Sequence, residues 1–453
     1  MDAYLGTGMA GGDKSLRLNL ADTIRLAWAD EDLRTRLKFV FFIFAVYVVG
    51  TYIPVPIPGV DPARFEDAVR SNQLFNLMST FSGGSLKRIS IFALGLAPYI
   101  TASIIMQVAQ VAFPQLKAEM KEGGAYARQK MNKYTKLLTL VLCYLQGIGI
   151  WTAIKNTGAV PPASQTFITT LMVVTFWTAG AFFVLWLGEQ ISEKGIGNGI
   201  SLMIFAGIII SFPLIVQQIY QAVANGTTSI FSVILTAVMF TVMTWFIVYF
   251  TIAQRRIPIT PLRRQVGNKT VAGGGQSYLP FALNMVGVIP IIFAVSLVYM
   301  PMQFASFFPA GTSPHNVFMS IAEFTSPNFS NWKGIVGAVF YMFLIFFFTY
   351  FYTAMQFNVD DIADNLKRGN TMVPGVRPGK QTRDFLDAVI SRITFVGAFF
   401  LAVVALSQYF IPLIINIQSL SIIFGTSLLI MVSVALETMR QIEANLLMKQ
   451  YNF

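Results

Sequence analysis

FFVLWLGEQISEKGIGNGISLMIF, residues 182–205, decides how the rest of the chain is read. Two apolar runs flank about ten residues that carry Glu189, Glu193 and Lys194 with three alternate glycines, Gly195, Gly197 and Gly199. Apolar runs of this kind stay in hydrocarbon, whereas a charged, glycine-rich turn has to sit in water. The chain therefore crosses a membrane and turns straight back.

Composition extends that reading to all 453 residues. Hydrophobic residues make up 55% and charged residues 12%, against about 25% charged in soluble chains. Mean hydropathy is +0.62. One cysteine, Cys143, and one histidine, His315, exclude a disulfide framework and argue against a zinc or haem site. The net charge of +11 first reports orientation in a membrane protein, ahead of nucleic-acid binding.

Working outward from the turn, ten long spans lack Asp, Glu, Lys and Arg: 39–53, 91–113, 137–154, 167–187, 200–220, 230–253, 281–301, 334–357, 393–411 and 413–436. Most suit the ~17–25 residues that a crossing helix needs. Residues 1–38 are polar and precede the first apolar run, so no cleavable leader is expected. Alternate loops, beginning with the N-terminus, hold 26 of the 32 Lys and Arg; the other side has Arg64, Arg70, Lys87, Arg88, Lys155 and Lys333. The positive-inside rule places both termini and the long basic loops 254–279 and 359–385 in the cytoplasm.

Residues 72–90, NQLFNLMSTFSGGSLKRIS, are too short and polar to span and follow a Pro-rich exit, IPVPIPGVD. Glycine-interrupted segments are tolerated at membrane depth only inside protein or a water-filled cavity. From the residues alone, an ordinary outer loop and a re-entrant half-helix both remain open.

No span core holds Asp, Glu, Lys, Arg or His. The polar side chains there include the amides Gln107, Gln146 and Asn284, and each taken singly reads as glue between helices. Leu96 with Ile100 and Ile200 with Ile204 are four apart, so each pair shares a helix face. Such faces acquire meaning only if they line a pore, where an aliphatic constriction excludes water. The GTGMAG at residues 6–11 has no strand before it, and GGDKS at 11–15 puts Asp13 where an acid would repel phosphate. No nucleotide site follows. The sequons at Asn225 and Asn328 are short enough to arise by chance.

Six stretches in order carry a resemblance: FSGGSLKRISIFALGLAPYITASIIMQ (81–107), WLGEQISEKGIGNGISLMIFAGI (186–208), QRRIP (254–258), NMVGVIPIIFA (284–294), DNLKRGNTMVPGVRPGKQT (364–382) and FGTSLLI (424–430). With ten spans and this loop polarity, the chain resembles the SecY (translocon α-subunit) family of protein-conducting channels. The resemblance implies an all-α polytopic fold of ten helices in two inverted five-helix halves, around an hourglass pore with a re-entrant plug half-helix.

It also implies a division of the chain. An N-terminal segment (1–37) would precede a first half (38–221, with plug 72–90), a second half (222–436) and a C-terminal tail (437–453). The pore ring falls on Leu96, Ile100, Ile200, Ile204, Ile292 and Ile430. A lateral gate between the second, third, seventh and eighth spans takes Gln107, Gln146 and Asn284. The plug takes Phe75, Asn76, Met78, Phe81, Ser82, Gly83 and Gly84. Arg255, Arg256 and Arg377 would dock the ribosome or the motor ATPase SecA, since basic loops suit RNA phosphates and acidic protein surfaces alike. As topology determinants alone, the loops' sign is explained, but not their length or the VPGVRPG corner.

The implied role is passage of preproteins bearing signal sequences across a bacterial cell membrane, with sideways release of apolar segments into the lipid bilayer. SecE-like and SecG-like small membrane subunits would be partners, and neither a cofactor nor a catalytic activity is implied. A secondary transporter of small solutes would need a coupling-ion site, and the span cores hold no carboxylate for one. A membrane protease would need a Ser–His pair or metal ligands in the spans, and His315 lies in an outer loop. Relatives are usually shorter at IPVPIPG, a departure confined to an outer corner.

Overall fold

The computed structural model describes residues 20–57, 59–71, 75, 79, 82–113, 124–155, 158, 160–162, 165–226, 228–261, 265–266, 269–270, 277–305, 308, 311–329, 331–415 and 424–451. Of two stretches in chain order, the first contains α1 (Leu20–Ala29), α2 (Glu31–Thr51), α3 (Pro62–Ser71), α4 (Ala97–Ala112), α5 (Gly124–Lys155), α6 (Phe167–Lys194) and α7 (Gly199–Ala224). The second contains α8 (Ile230–Ile252), β1 (Gln254–Pro261), β2 (Gln265–Val266), β3 (Lys269–Thr270), β4 (Ser277–Ala282), α9 (Ile289–Ala305), α10 (Ser313–Thr325), α11 (Trp332–Gln356), α12 (Val359–Arg368), β5 (Thr371–Met372), α13 (Lys380–Ile415) and α14 (Thr426–Tyr451).

Among the described residues, six helical stretches are long and apolar enough to cross a membrane by length and composition alone. They include α6, α7, α8 and α13, with most of α5 and the apolar part of a stretch that begins at Trp332. The other four spans fall on α2, α4, α9 and α14. α2 opens with a charged turn, α4 and α9 are short at 16 and 17 residues, and α14 has a polar second half. Five spans per half is an odd number, so the second half enters from the opposite side and is inverted with respect to the first.

Local chemistry sets the helix ends. The carboxylate of Asp30 accepts from the Leu33 amide at 3.0 Å, with Glu31 and Asp32 in the first turn of α2, where acids complement the helix dipole. Between α6 and α7, Asn198 accepts from the Ile200 and Ser201 amides at 3.2 and 3.3 Å, and Ser192 Oγ accepts from the Gly199 amide at 2.9 Å. Gly197 has φ +93°, and a Cβ on Gly199 would fall on the Gly188 carbonyl oxygen. The glycines of the opening stretch therefore permit a left-handed turn and a backbone contact between two spans.

Packing forms three apolar clusters in the spans. One fills the second half, with Phe293, Tyr341, Phe348, Phe400 and Leu428. A second occupies the side of the first half opposite the basic loops, with Phe65, Leu86, Trp151, Trp177 and, from α9, Tyr299. The third lies at the waist and joins α2, α4, α6, α7 and α14. Several differences from the sequence reading stand out. The 91–113 span becomes helical only at Ala97, after turns from Ser82 to Leu96. Leu283–Val288 is irregular ahead of α9, and an outer helix, α10, occupies what reads as loop. The two basic loops are also not helical throughout: β1 lies between β4 and β5 in a three-stranded sheet, which ties loop to loop.

Candidate functional site

At the waist, Leu96 caps α4 and Ile100 lies one turn on; Ile200 and Ile204 come from the start of α7, Ile292 from α9 and Ile430 from α14. Leu96, Ile204 and Ile430 are buried in one apolar cluster, and Ile100, Ile200 and Ile292 pack against it. Four helices thus bring all six aliphatic side chains into the same cluster.

Next to the waist is the 82–96 segment. Phe75, Ser82, Gly83 and Gly84 are buried, while Asn76, Met78 and Phe81 lie outside the described residues. The segment is tied back to the Pro-rich exit. The Val55 amide donates to the Ile89 carbonyl at 2.8 Å, the Ile91 amide to Ile53 at 3.1 Å, and Ser90 Oγ to Gly50 at 2.8 Å.

The three amides have separate environments. On α4, Gln107 Nε2 donates to Ser103 Oγ at 2.9 Å, and its Oε1 accepts from the hydroxyl of Tyr352 on α11. Gln146 Oε1 and Asn284 Nδ2 are buried without a hydrogen-bond partner. The bonded contact across the halves is therefore Gln107–Tyr352, not a triad of amides. Sequence reasoning missed Tyr352. Its run, FTYFYTAMQF, holds two tyrosines that look alike on paper, yet Tyr350 is exposed and Tyr352 buried. The neighbouring Gln356 and the cluster of hydroxyl side chains around it offer only a faint signal.

On the basic face, Arg255 and Arg256 are exposed on β1, opposite Phe281 and Pro280 of β4. Arg377 is exposed in the corner between β5 and α13. Val373 is buried beneath it, and Val376 packs against the same apolar cluster of Ile257, Phe281, Leu366 and Leu386. The Arg377 carbonyl accepts from Thr382 Oγ1 at 2.9 Å, and Gly375 and Gly379 take φ of +82° and +101°. An arginine is thereby presented on a corner whose backbone is fixed from below.

A family model described as SecY matches residues 90–439. The chain belongs to the SecY family. Among curated SecY relatives, the protein translocase subunit SecY of Aquifex aeolicus (strain VF5) is 40% identical over 447 residues, covering 95% of this chain and 99% of that one. The subunit of the same name from Pseudomonas aeruginosa is 37% identical over 422 residues, with 93% and 92% covered. Two solved structures share the fold with TM-scores of 0.65, each covering 91% of this chain and 92% of theirs. One is described as the structure of a protein conducting channel (19% identical), the other as showing that the SecY plug domain stabilises the closed state (20% identical). Sec61 in a canine ribosome–channel complex has a TM-score of 0.58 at 17% identity. The chain is thus a multi-pass SecY channel subunit of the Sec translocon, built on the ten-span fold with a plug.

Proposed function

We propose that Leu96, Ile100, Ile200, Ile204, Ile292 and Ile430 form the constriction through which an unfolded preprotein passes. The observation that carries this reading is their convergence from four helices into one apolar cluster. A translocating chain presents every kind of side chain, so its channel must hold no fixed charge and offer no strong hydrogen bond at the waist. Flexible aliphatics meet both needs, and when they close together they dewet the path and block ions. Residues 72–90 act as the plug on the outer side.

The gate opens between α4 and α5 on one side and α9 and α11 on the other. Its amides bias the balance: Gln107–Tyr352 favours closure, whereas a buried polar atom without a partner costs about 1–3 kcal/mol. Gln146 and Asn284 therefore leave the closed gate only marginally preferred. An apolar signal sequence inserted there separates the two walls, and apolar segments then leave sideways into lipid.

The protein resides in a bacterial cell membrane with both termini and the basic face in the cytoplasm, as its 26 basic residues on that side indicate. The sheet that joins loops 254–279 and 359–385 is the docking platform for SecA or the ribosome, through Arg255, Arg256 and Arg377. SecE-like and SecG-like subunits complete the complex. Residues 38–221 and 222–436 serve as the two moving halves.

A photocrosslinking residue placed at Ile204 or Ile292 tests the path. A preprotein stalled halfway should crosslink from both positions and not from Ile234, which is exposed on the outer face of α8. Equal labelling from Ile234 would show that the chain does not pass through the waist.

A further inference from the structure

The gate helix α9 is a wall shared by all three clusters in the spans. Ile292 packs against the waist, Phe293, Ala294 and Val298 lie in the core of the second half, and Tyr299 lies in the outer cluster of the first half. Val295 packs against both of the last two. That outer cluster also holds Phe75 and Leu86 of the plug segment.

Tyr299 belongs to both halves at once. The side chain is 2% exposed, its ring lies in the first-half cluster, and its hydroxyl is 3.0 Å from the hydroxyl of Tyr409 on α13. Tyr409 in turn meets Tyr341 edge to face, with centroids 6.3 Å apart. The same end of α9 has two more ties. Thr325 Oγ1 donates to the Val298 carbonyl at 3.1 Å, and His315 Nδ1 donates to the Ala305 carbonyl at 3.0 Å. At the other end the approach to α9 is irregular and Asn284 Nδ2 has no partner. The helix is held at its outer end and loosely held at the end that bears the gate amide.

We infer that Tyr299 is a positioning residue that couples the gate helix to the plug. Its bond to Tyr409 fixes the ring as one wall of the cluster in which Phe75 and Leu86 pack. A swing of α9 about its outer end during gate opening turns that wall, so gate opening and plug loosening become one event. This inference rests on the plug and gate reading above. It adds the residue that links them. The bond needs both hydroxyls, so removing either one breaks the link.

The test uses the full chain in its membrane complex, carrying Tyr299→Phe, Tyr409→Phe, both, or Phe75→Ala. Two quantities are read: resting conductance in planar bilayers, and the distance between spin labels at Arg64→Cys on α3 and Trp332→Cys on α11, with Cys143 replaced by alanine. Phenylalanine keeps the ring volume, so the packing survives. Each single tyrosine variant should raise conductance several-fold and broaden the distance distribution, and the double should do no more than either single, because one bond is lost in all three. Singles whose effects multiply in the double would overturn the coupling. Tyrosine variants that stay sealed while Phe75→Ala leaks would overturn it too, leaving the plug reading intact. A sealed Phe75→Ala would remove the plug reading along with it.

Discussion

At the residue scale, the Tyr352–Gln107 contact and the bare backbone of Gly199 decide whether the gate and the central turn hold. Tyr352 donates to Gln107 between α11 and α4, and interhelical bonds of this kind are worth roughly 0.6–2 kcal/mol in a membrane. Tyr352→Phe and Gln107→Leu should each shift a nearly balanced gate several-fold toward opening. Preproteins with weakened signal sequences would then gain more transport than those with strong ones, and the double variant should match the singles. Equal gains for both kinds of substrate would point to general misfolding instead. Gly199 is the second test. An added methyl falls on the Gly188 carbonyl, so Gly199→Ala should cost about 1–3 kcal/mol by overpacking and lower the melting temperature of the purified channel. An unchanged melting temperature would mean that α6 and α7 can separate freely. The glycines were legible in the sequence as a turn, but the carbonyl they approach was not. Spacing reveals a chain reversal, while the distance between two backbones depends on packing that no local pattern encodes.

At the scale of elements, the spans were the most legible part, because runs without charge report the cost of placing ions in hydrocarbon. What stayed hidden was the joining of the two basic loops. β1 reads QRRIPITP, with two prolines and only Ile257 and Ile259 as an apolar alternation, and its partner β5 lies over a hundred residues on, as in the 112-residue separation of Thr260 and Met372. Arg377 sits on the resulting platform. Arg377→Lys keeps the charge but loses the planar donor fork, so on the docking role proposed above it should cut SecA-driven import substantially, and Arg377→Glu should nearly abolish it at normal channel levels. Import near the wild-type rate in Arg377→Glu vesicles would leave the corner as a topology signal only. A second junction joins α14 to the start of α2: Lys449 of α14 meets Asp30 at 2.8 Å and Asp32 at 3.5 Å, above a small cluster of Ala27, Leu33, Ile196, Ile442 and Leu446. The Leu33 amide, then Lys449, holds the Asp30 carboxyl below its ordinary 3.8, and Asp30 holds the Lys449 amine above its ordinary 10.5. A lowered carboxylate contributes above 3.8 and loses that contribution as pH falls through its folded value. A raised amine contributes below 10.5 and loses it as pH rises through its own. Energy transfer between fluorophores on α1 and the end of α14 should therefore stay flat between those limits and fall outside them. A midpoint near neutrality would mean that some other group controls the contact.

At the scale of the whole molecule, the proposed channel has a charge-free waist closed by packing, between two halves that part along a polar seam. The pairs Leu96/Ile100 and Ile200/Ile204 were legible as shared faces, yet no periodicity says that two faces on different helices meet. Family resemblance supplied that expectation, and the structure places all six side chains in one cluster. The seal depends on the ring as a whole, since neighbouring aliphatics can fill a single gap. The most direct measurement is therefore the resting conductance, in planar bilayers, of a channel in which Ile100, Ile204, Ile292 and Ile430 are all replaced by serine. Polar side chains let water wet the constriction, so the account predicts a resting ion leak well above that of the unaltered channel. A quadruple variant that stays as tight as the unaltered protein would contradict the claim that these side chains form the seal.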